Sequence, residues 1–150
     1  FALSMFLLRP SDAARTEEVT AGQEAYNITV YKNPNCGCCT AWAVHLRESG
    51  FNVTIEEVND LNGIKQKYHV PRELGACHTA VVDGLVIEGH VPAADILNHL
   101  VQPSSDIAGL AVPGMPQGSP GMETGKQDSY SVLAFTADGQ YREVNSYGEE

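Results

Sequence analysis

The sequence predicts an α/β fold with elements in the order strand, helix, strand, helix, strand, strand, helix. Three observations predict it. Short β-branched and aromatic runs alternate with stretches of helical periodicity. Asp83-Gly84 joins two apolar runs as a hairpin turn. Gly50, Pro71 and Pro103 stand where helices must stop.

Taken in order, "YNITVYK" at residues 26–32 is rich in strand formers, and Asn33-Pro34-Asn35 turns the chain after it. "TAWAVHLRESG" carries Trp42 and Leu46 on one helical face and ends at Gly50. "FNVTIEEV" alternates Phe51, Val53 and Ile55 inward and ends in a solvated Glu56-Glu57 pair. "NDLNGIKQKYHVP" offers Asn59 or Asp60 as N-cap, Leu61, Ile64 and Tyr68 on one face, His69 as a capping residue and Pro71 as the stop. "TAVVDG" and "LVIEG" form the hairpin, and Pro92 opens a helix whose Ile96, Leu97 and Leu100 face inward. Residues 103–125 hold four Pro, five Gly and two of the three Met, a composition that argues against regular structure. Ile107, Leu110 and Val112 argue equally against disorder, so this segment is read as an ordered loop wrapping the domain. "SYSVLAFTADGQYREVNSY" reads as a second hairpin turned at Asp138-Gly139. The expected organisation is an N-terminal extension (1–25), a core (26–102), a Met-bearing wrapping loop (103–128) and a C-terminal hairpin with tail (129–150).

A chain of 150 residues with 43% hydrophobic residues can bury a core without cross-links, so the four cysteines are free for chemistry. The formal net charge of −10 leaves no basic stripe for phosphates, which argues against nucleic acid and anionic membrane surfaces as partners. No apolar run approaches the roughly 20 residues of a membrane helix. "FALSMFLL" at residues 1–8, closed by Arg9-Pro10 and lacking a basic n-region, is read as a non-core extension.

Cys36-Gly37-Cys38-Cys39 puts three cysteines in four positions, between the first strand and the first helix. The element order is thioredoxin-like, βαβαββα, and this is where that fold keeps a CxxC redox site. Helix N-terminal amides stabilise a thiolate, which is both nucleophile and metal ligand, so the position marks reactivity without choosing between exchange and metal binding. Redox members of the fold carry a cis-proline just before the third strand. Laid on that pattern, "ACHTA" puts His78 at the proline position and Cys77 just before it, implying that Cys77 faces the triplet. A proline there blocks metal, whereas a cysteine and a histidine add ligands.

Thiolates combined with thioethers select soft ions, above all Cu(I), while Zn is satisfied by Cys and His. Met115 and Met122 therefore discriminate: if their loop folds over the triplet, copper is favoured over zinc. Adjacent Cys38 and Cys39 do not chelate one ion comfortably together with Cys36, so a polynuclear Cu(I)-thiolate cluster is expected rather than a single ion. Of the five histidines, His78 and His90 are candidates for ligation or for orienting a ligand, and His45 and His99 are read as solvated. Trp42 is read as core. Two alternatives stay open: a thiol-disulfide oxidoreductase using Cys36 and Cys39, and a structural domain with two disulfides.

"CGCCTAW", "ACHTA", "IEGHVPA" and "GLAVPGMPQGSPGME" together resemble the CopG-type copper-resistance proteins, a bacterial family once known only as a domain of unknown function. The resemblance spans about residues 27–123. It implies a thioredoxin-like fold, export to the periplasm, other periplasmic copper-handling proteins as partners, and copper held by Cys36, Cys38 or Cys39, and Cys77, with Met115 and Met122 in the covering loop. Storage, delivery and Cu(I)/Cu(II) conversion all fit it, and no residue is assigned a catalytic role.

Overall fold

The computed structural model describes residues 25–148, so the readings made for residues 1–24 lie outside it. The described chain is a mixed α/β fold of one seven-stranded sheet and three helices. In chain order the elements are β1 (Asn27–Lys32), α1 (Gly37–Glu48), β2 (Asn52–Glu57), α2 (Leu61–Lys67), a 3-10 turn (Arg72–Leu74), β3 (His78–Val82), β4 (Leu85–Gly89), α3 (Ala93–Val101), β5 (Gly109–Val112), β6 (Tyr130–Phe135) and β7 (Tyr141–Tyr147). The sheet order is β2-β1-β3-β4-β5-β6-β7, with β1/β2 and β4/β5 parallel and the other pairs antiparallel.

Strand alternation separates two apolar layers. Ile28, Val30, Ala80, Val82, Ile87, Leu110 and Val112 pack with Trp42 and Leu46 of α1 and with Ile96 of α3. On the opposite face Val86, Ala111 and Phe135 pack with Leu74, against Tyr68 and Val70 after α2. Trp42 is fully buried and donates its indole N–H to the Val91 carbonyl at 2.9 Å, as a core residue should. In the β3–β4 turn Asp83 and Gly84 have φ of 48° and 78°, the left-handed pair that a two-residue hairpin requires.

Local signals explain most boundaries. Asp60 caps α2 by accepting from the Gly63 N–H at 3.0 Å, and His69 closes the turn after it with φ of 58°. Gly50, at φ of 96°, ends α1, with the Phe51 N–H reaching back to the Leu46 carbonyl. Pro92 is the N-cap of α3, one residue before the position expected for it.

Two expectations need correction. The segment 103–125 is not loop throughout: β5 lies inside it, fully buried and paired with both β4 and β6. Its four residues are all small or apolar and all buried, so they show no alternation, and the Pro and Gly around them dominate any wider compositional window. Gly109 is required there, because a Cβ would stand 2.3 Å from the Phe135 ring and 2.5 Å from the Val86 carbonyl oxygen. Through β5 the C-terminal hairpin becomes an extension of the main sheet. The second correction concerns His45, which is half-buried rather than solvated: its Nε2 accepts the Ala93 N–H at 3.1 Å and so caps α3 from α1.

That contact predicts a pH effect. Burial holds His45 below its ordinary value of 6.5, against the pull of Glu48 and Glu123. The neutral ring is the form that accepts, so its contribution is present above 6.5 and is lost as the pH falls through the lower folded-state value. His45→Leu should cost about 1 kcal/mol near neutrality. Thermal unfolding in mildly acidic buffer should then find wild type and variant closer together, and a constant gap would contradict the capping role.

Candidate metal centre

One end of the sheet collects the cysteines. β1 finishes at Lys32 opposite the first residue of β3, His78, while β4 and β5 finish together at Gly89 and Val112. The N-terminus of α1, the Ala76-Cys77 approach to β3, His90 after β4 and the Met115 loop after β5 therefore meet at a single rim.

Cys36 is the N-cap of α1, and Cys38 and Cys39 lie in its first turn, where helix amides are free and the dipole is positive. Gly37 starts the helix, three residues before the stretch whose periodicity announced it. The four cysteine sulfurs lie within 4.8 Å of one another. Cys38 Sγ is central: it is 3.5 Å from Cys36 Sγ, 3.8 Å from Cys77 Sγ and 3.5 Å from Met115 Sδ. Two thiolates on one tetrahedral ion, with metal–sulfur bonds of about 2.3 Å, stand about 3.8 Å apart, the spacing of Cys38 and Cys77. Cys36 and Cys39 are joined as a disulfide, and Cys38 and Cys77 are free thiols.

A second donor group shares Cys77. His78 and His90 bring ring nitrogens to 3.5 Å and 3.3 Å from Cys77 Sγ. His90 Nδ1 lies 2.6 Å from the Pro120 carbonyl oxygen, which only a protonated nitrogen can satisfy, so Nε2 carries the lone pair that faces Cys77. His78 is fully buried, its ring 4.3 Å from that of Trp42, and its Nε2 is a buried nitrogen without a hydrogen-bond partner among the described residues. Burial, reinforced at His78 by His90, lowers both imidazoles and keeps them neutral, the ligating form. Burial and the neighbouring Cys38 thiol push the Cys77 thiol up to about 12, so a metal entering here would displace a proton.

The Met115 loop covers the rim. Gly121, at φ of 91°, packs so closely that a Cβ would lie 2.9 Å from the Trp42 backbone nitrogen and 3.0 Å from His90 Nδ1. Backbone bonds between Gly118 and Met122 and between Met122 and Ser119, both 2.8 Å, brace the loop. Met115 is half-exposed above Cys38. Met122 takes part in this bracing through its backbone N–H and carbonyl. A cavity of about 540 Å³, lined in part by Asn35, Cys36, Asp60, Lys65 and Cys77, opens onto two of the sulfurs.

Sequence reasoning missed the charges behind the site. Glu88 is fully buried and accepts from the Ala76 N–H at 2.9 Å, the Thr79 hydroxyl at 2.5 Å and the Lys65 ammonium. It thereby anchors the residue preceding Cys77. Lys32, also buried, reaches the Asn33 and Cys36 carbonyls at 3.3 Å and 3.5 Å. The available signal was a lone carboxylate in the otherwise apolar run "LVIEG".

Fold and site together define a mixed α/β protein with a cysteine cluster, thioether and imidazoles able to hold soft metal. Residues 74–122 match the family described as a protein of unknown function, DUF411. Two solved structures, described as forms 2 and 1 of the copper resistance protein CopG, are 47% and 46% identical to the chain. They cover 83% and 84% of it and 100% of their own chains, each with a TM-score of 0.79. No curated protein matches. The chain belongs to the CopG copper resistance protein family.

Proposed function

We propose that this chain is a periplasmic copper-binding protein of copper resistance. Its reduced thiolates hold Cu(I) as a polynuclear cluster capable of Cu(I)/Cu(II) redox change. The observation that carries this reading is the four sulfurs within 4.8 Å of one another, with Met115 Sδ 3.5 Å from Cys38 Sγ. Thiolate with thioether favours Cu(I) over zinc, and Cys77, common to both donor groups, suits a bridging position. Cys36, Cys38, Cys39, Cys77 and Met115 are the proposed ligands, with His78 and His90 as further ligands or orienting groups; Met122 has the least support.

Residues 26–102 are proposed as a thioredoxin-like core, a reading supported by the βαβαββα order up to α3. The described residues contain no helix long and apolar enough to cross a membrane. Periplasmic location and exchange of copper with other copper-handling proteins follow from the likeness to CopG and belong to this proposal.

Anaerobic titration of the reduced chain with Cu(I), in competition with Zn(II), tests it. Copper should displace zinc and bind stoichiometrically, and equal or preferential zinc binding would overturn the copper assignment. The Cys36–Cys39 disulfide favours a second reading, thiol-disulfide exchange by this pair. Metal-free turnover in a disulfide-reduction assay would support that reading.

A further inference from the structure

The four sulfurs are not equivalent. Cys36 and Cys39 are joined to each other, while the two that remain as thiols each have a further donor of their own. Met115 Sδ lies 3.5 Å from Cys38 Sγ, and His90 Nε2 lies 3.3 Å from Cys77 Sγ. The disulfide sulfur of Cys36 is itself 3.5 Å from Cys38 Sγ, so the oxidised pair and the free thiols share one site.

We propose that the Cys36/Cys39 dithiol is the electron source for reducing Cu(II), and that Cys38 and Cys77 keep the Cu(I) it produces. This rests on the copper-binding reading above and adds where the electrons originate. The reaction is 2 Cu(II) + Cys36–SH + Cys39–SH → 2 Cu(I) + Cys36–S–S–Cys39 + 2 H⁺. Two S–H bonds break, one S–S bond forms, and each copper gains one electron.

Formation of the disulfide withdraws two thiolates from ligation. Two thiols remain for two product ions, one beside a thioether and one beside an imidazole, both suited to Cu(I). Binding displaces the thiol protons of Cys38 and Cys77 in a separate step. The oxidised chain therefore has a lower copper capacity than the reduced one without being empty. The buried Cys39 and half-buried Cys36 make the reservoir intramolecular, since bulky external thiols reach Cys36 more readily than Cys39.

The test uses the fully reduced chain without oxygen, mixed with two equivalents of Cu(II) per chain, the amount one two-electron disulfide couple can reduce. Retained Cu(I) is measured with a Cu(I)-specific chelator after gel filtration and denaturation, and disulfides are mapped by peptide mass spectrometry. The expected result is two retained Cu(I) per chain with the new disulfide at Cys36–Cys39, following the two-electron stoichiometry. The double variant Cys36→Ser/Cys39→Ser should still bind Cu(I) supplied directly. Given Cu(II), it should lose retained Cu(I), because its only electrons come from the thiols that must hold the product. A disulfide mapped to Cys38–Cys77, Cu(I) formed with all thiols intact, or an oxidised chain holding no Cu(I) would each overturn the inference. Failure of the reduced wild-type chain to bind Cu(I) supplied directly would instead defeat the copper-binding reading itself.

Discussion

Cys38→Ser is expected to lower Cu(I) affinity by more than about 100-fold, beyond the 10–100-fold typical of losing a group that only orients a ligand. Cys38 Sγ is the one sulfur in close contact with Cys36, Cys77 and Met115 together, so its loss separates the α1 turn from the β3 approach and from the covering loop. A serine hydroxyl is a hard donor and does not replace a thiolate toward Cu(I). Cys38 is only half-buried and lies in the first turn of α1, outside the apolar core, so the unfolding midpoint should stay near wild type. Competition against a Cu(I) chelator measures the effect. Affinity within a fewfold of wild type would remove Cys38 from the centre.

The second large effect is on stability. Lys65→Met removes the cation from a carboxylate that is fully buried, and breaking such a pair costs about 3 kcal/mol near neutrality. Burial already raises Glu88 above its ordinary value of 4.5, with Lys65, the Ala76 N–H and Thr79 opposing it. Without Lys65 the folded-state value climbs further, so the folded variant binds a proton that the unfolded chain has released. Its stability is then greatest below 4.5 and is lost as the pH rises through the raised folded value. Urea unfolding should find a deficit against wild type near neutrality that narrows in mildly acidic buffer. A deficit of equal size at both would mean that Glu88 needs no counter-charge. Since Glu88 also holds the Ala76 N–H beside Cys77, weakened Cu(I) binding should accompany the loss.

How much of this was legible depends on the sequence distance between partners. β1, α1, the β3–β4 hairpin and α3 carry their own periodicity and stop signals, so adjacent residues define them. β5 does not: four residues between Pro and Gly become a strand only because β4 and β6 flank them. At the site, the triplet is contiguous and Cys77 could be placed from the pattern before β3. Lys65 and Glu88 could not, being 23 residues apart on different elements, each unremarkable alone. The two methionines are equivalent in composition, and it takes the fold to bring Met115 Sδ to 3.5 Å from Cys38 Sγ and to engage the Met122 backbone in the braced turn with Gly118 and Ser119. The oxidation state was equally invisible, because Cys36-x-x-Cys39 has the same spacing as dithiol or disulfide.

The central claim is that four thiolates and a thioether form one Cu(I) centre of more than one ion. Elemental analysis of the fully reduced chain, saturated with Cu(I) and freed of excess, tests it most directly. The reduced chain should reach a copper-to-protein ratio above about two, falling to about two when Cys36 and Cys39 are oxidised to their disulfide, the number that couple can supply. A ratio of one or less in the reduced chain, unchanged by that oxidation, would contradict it.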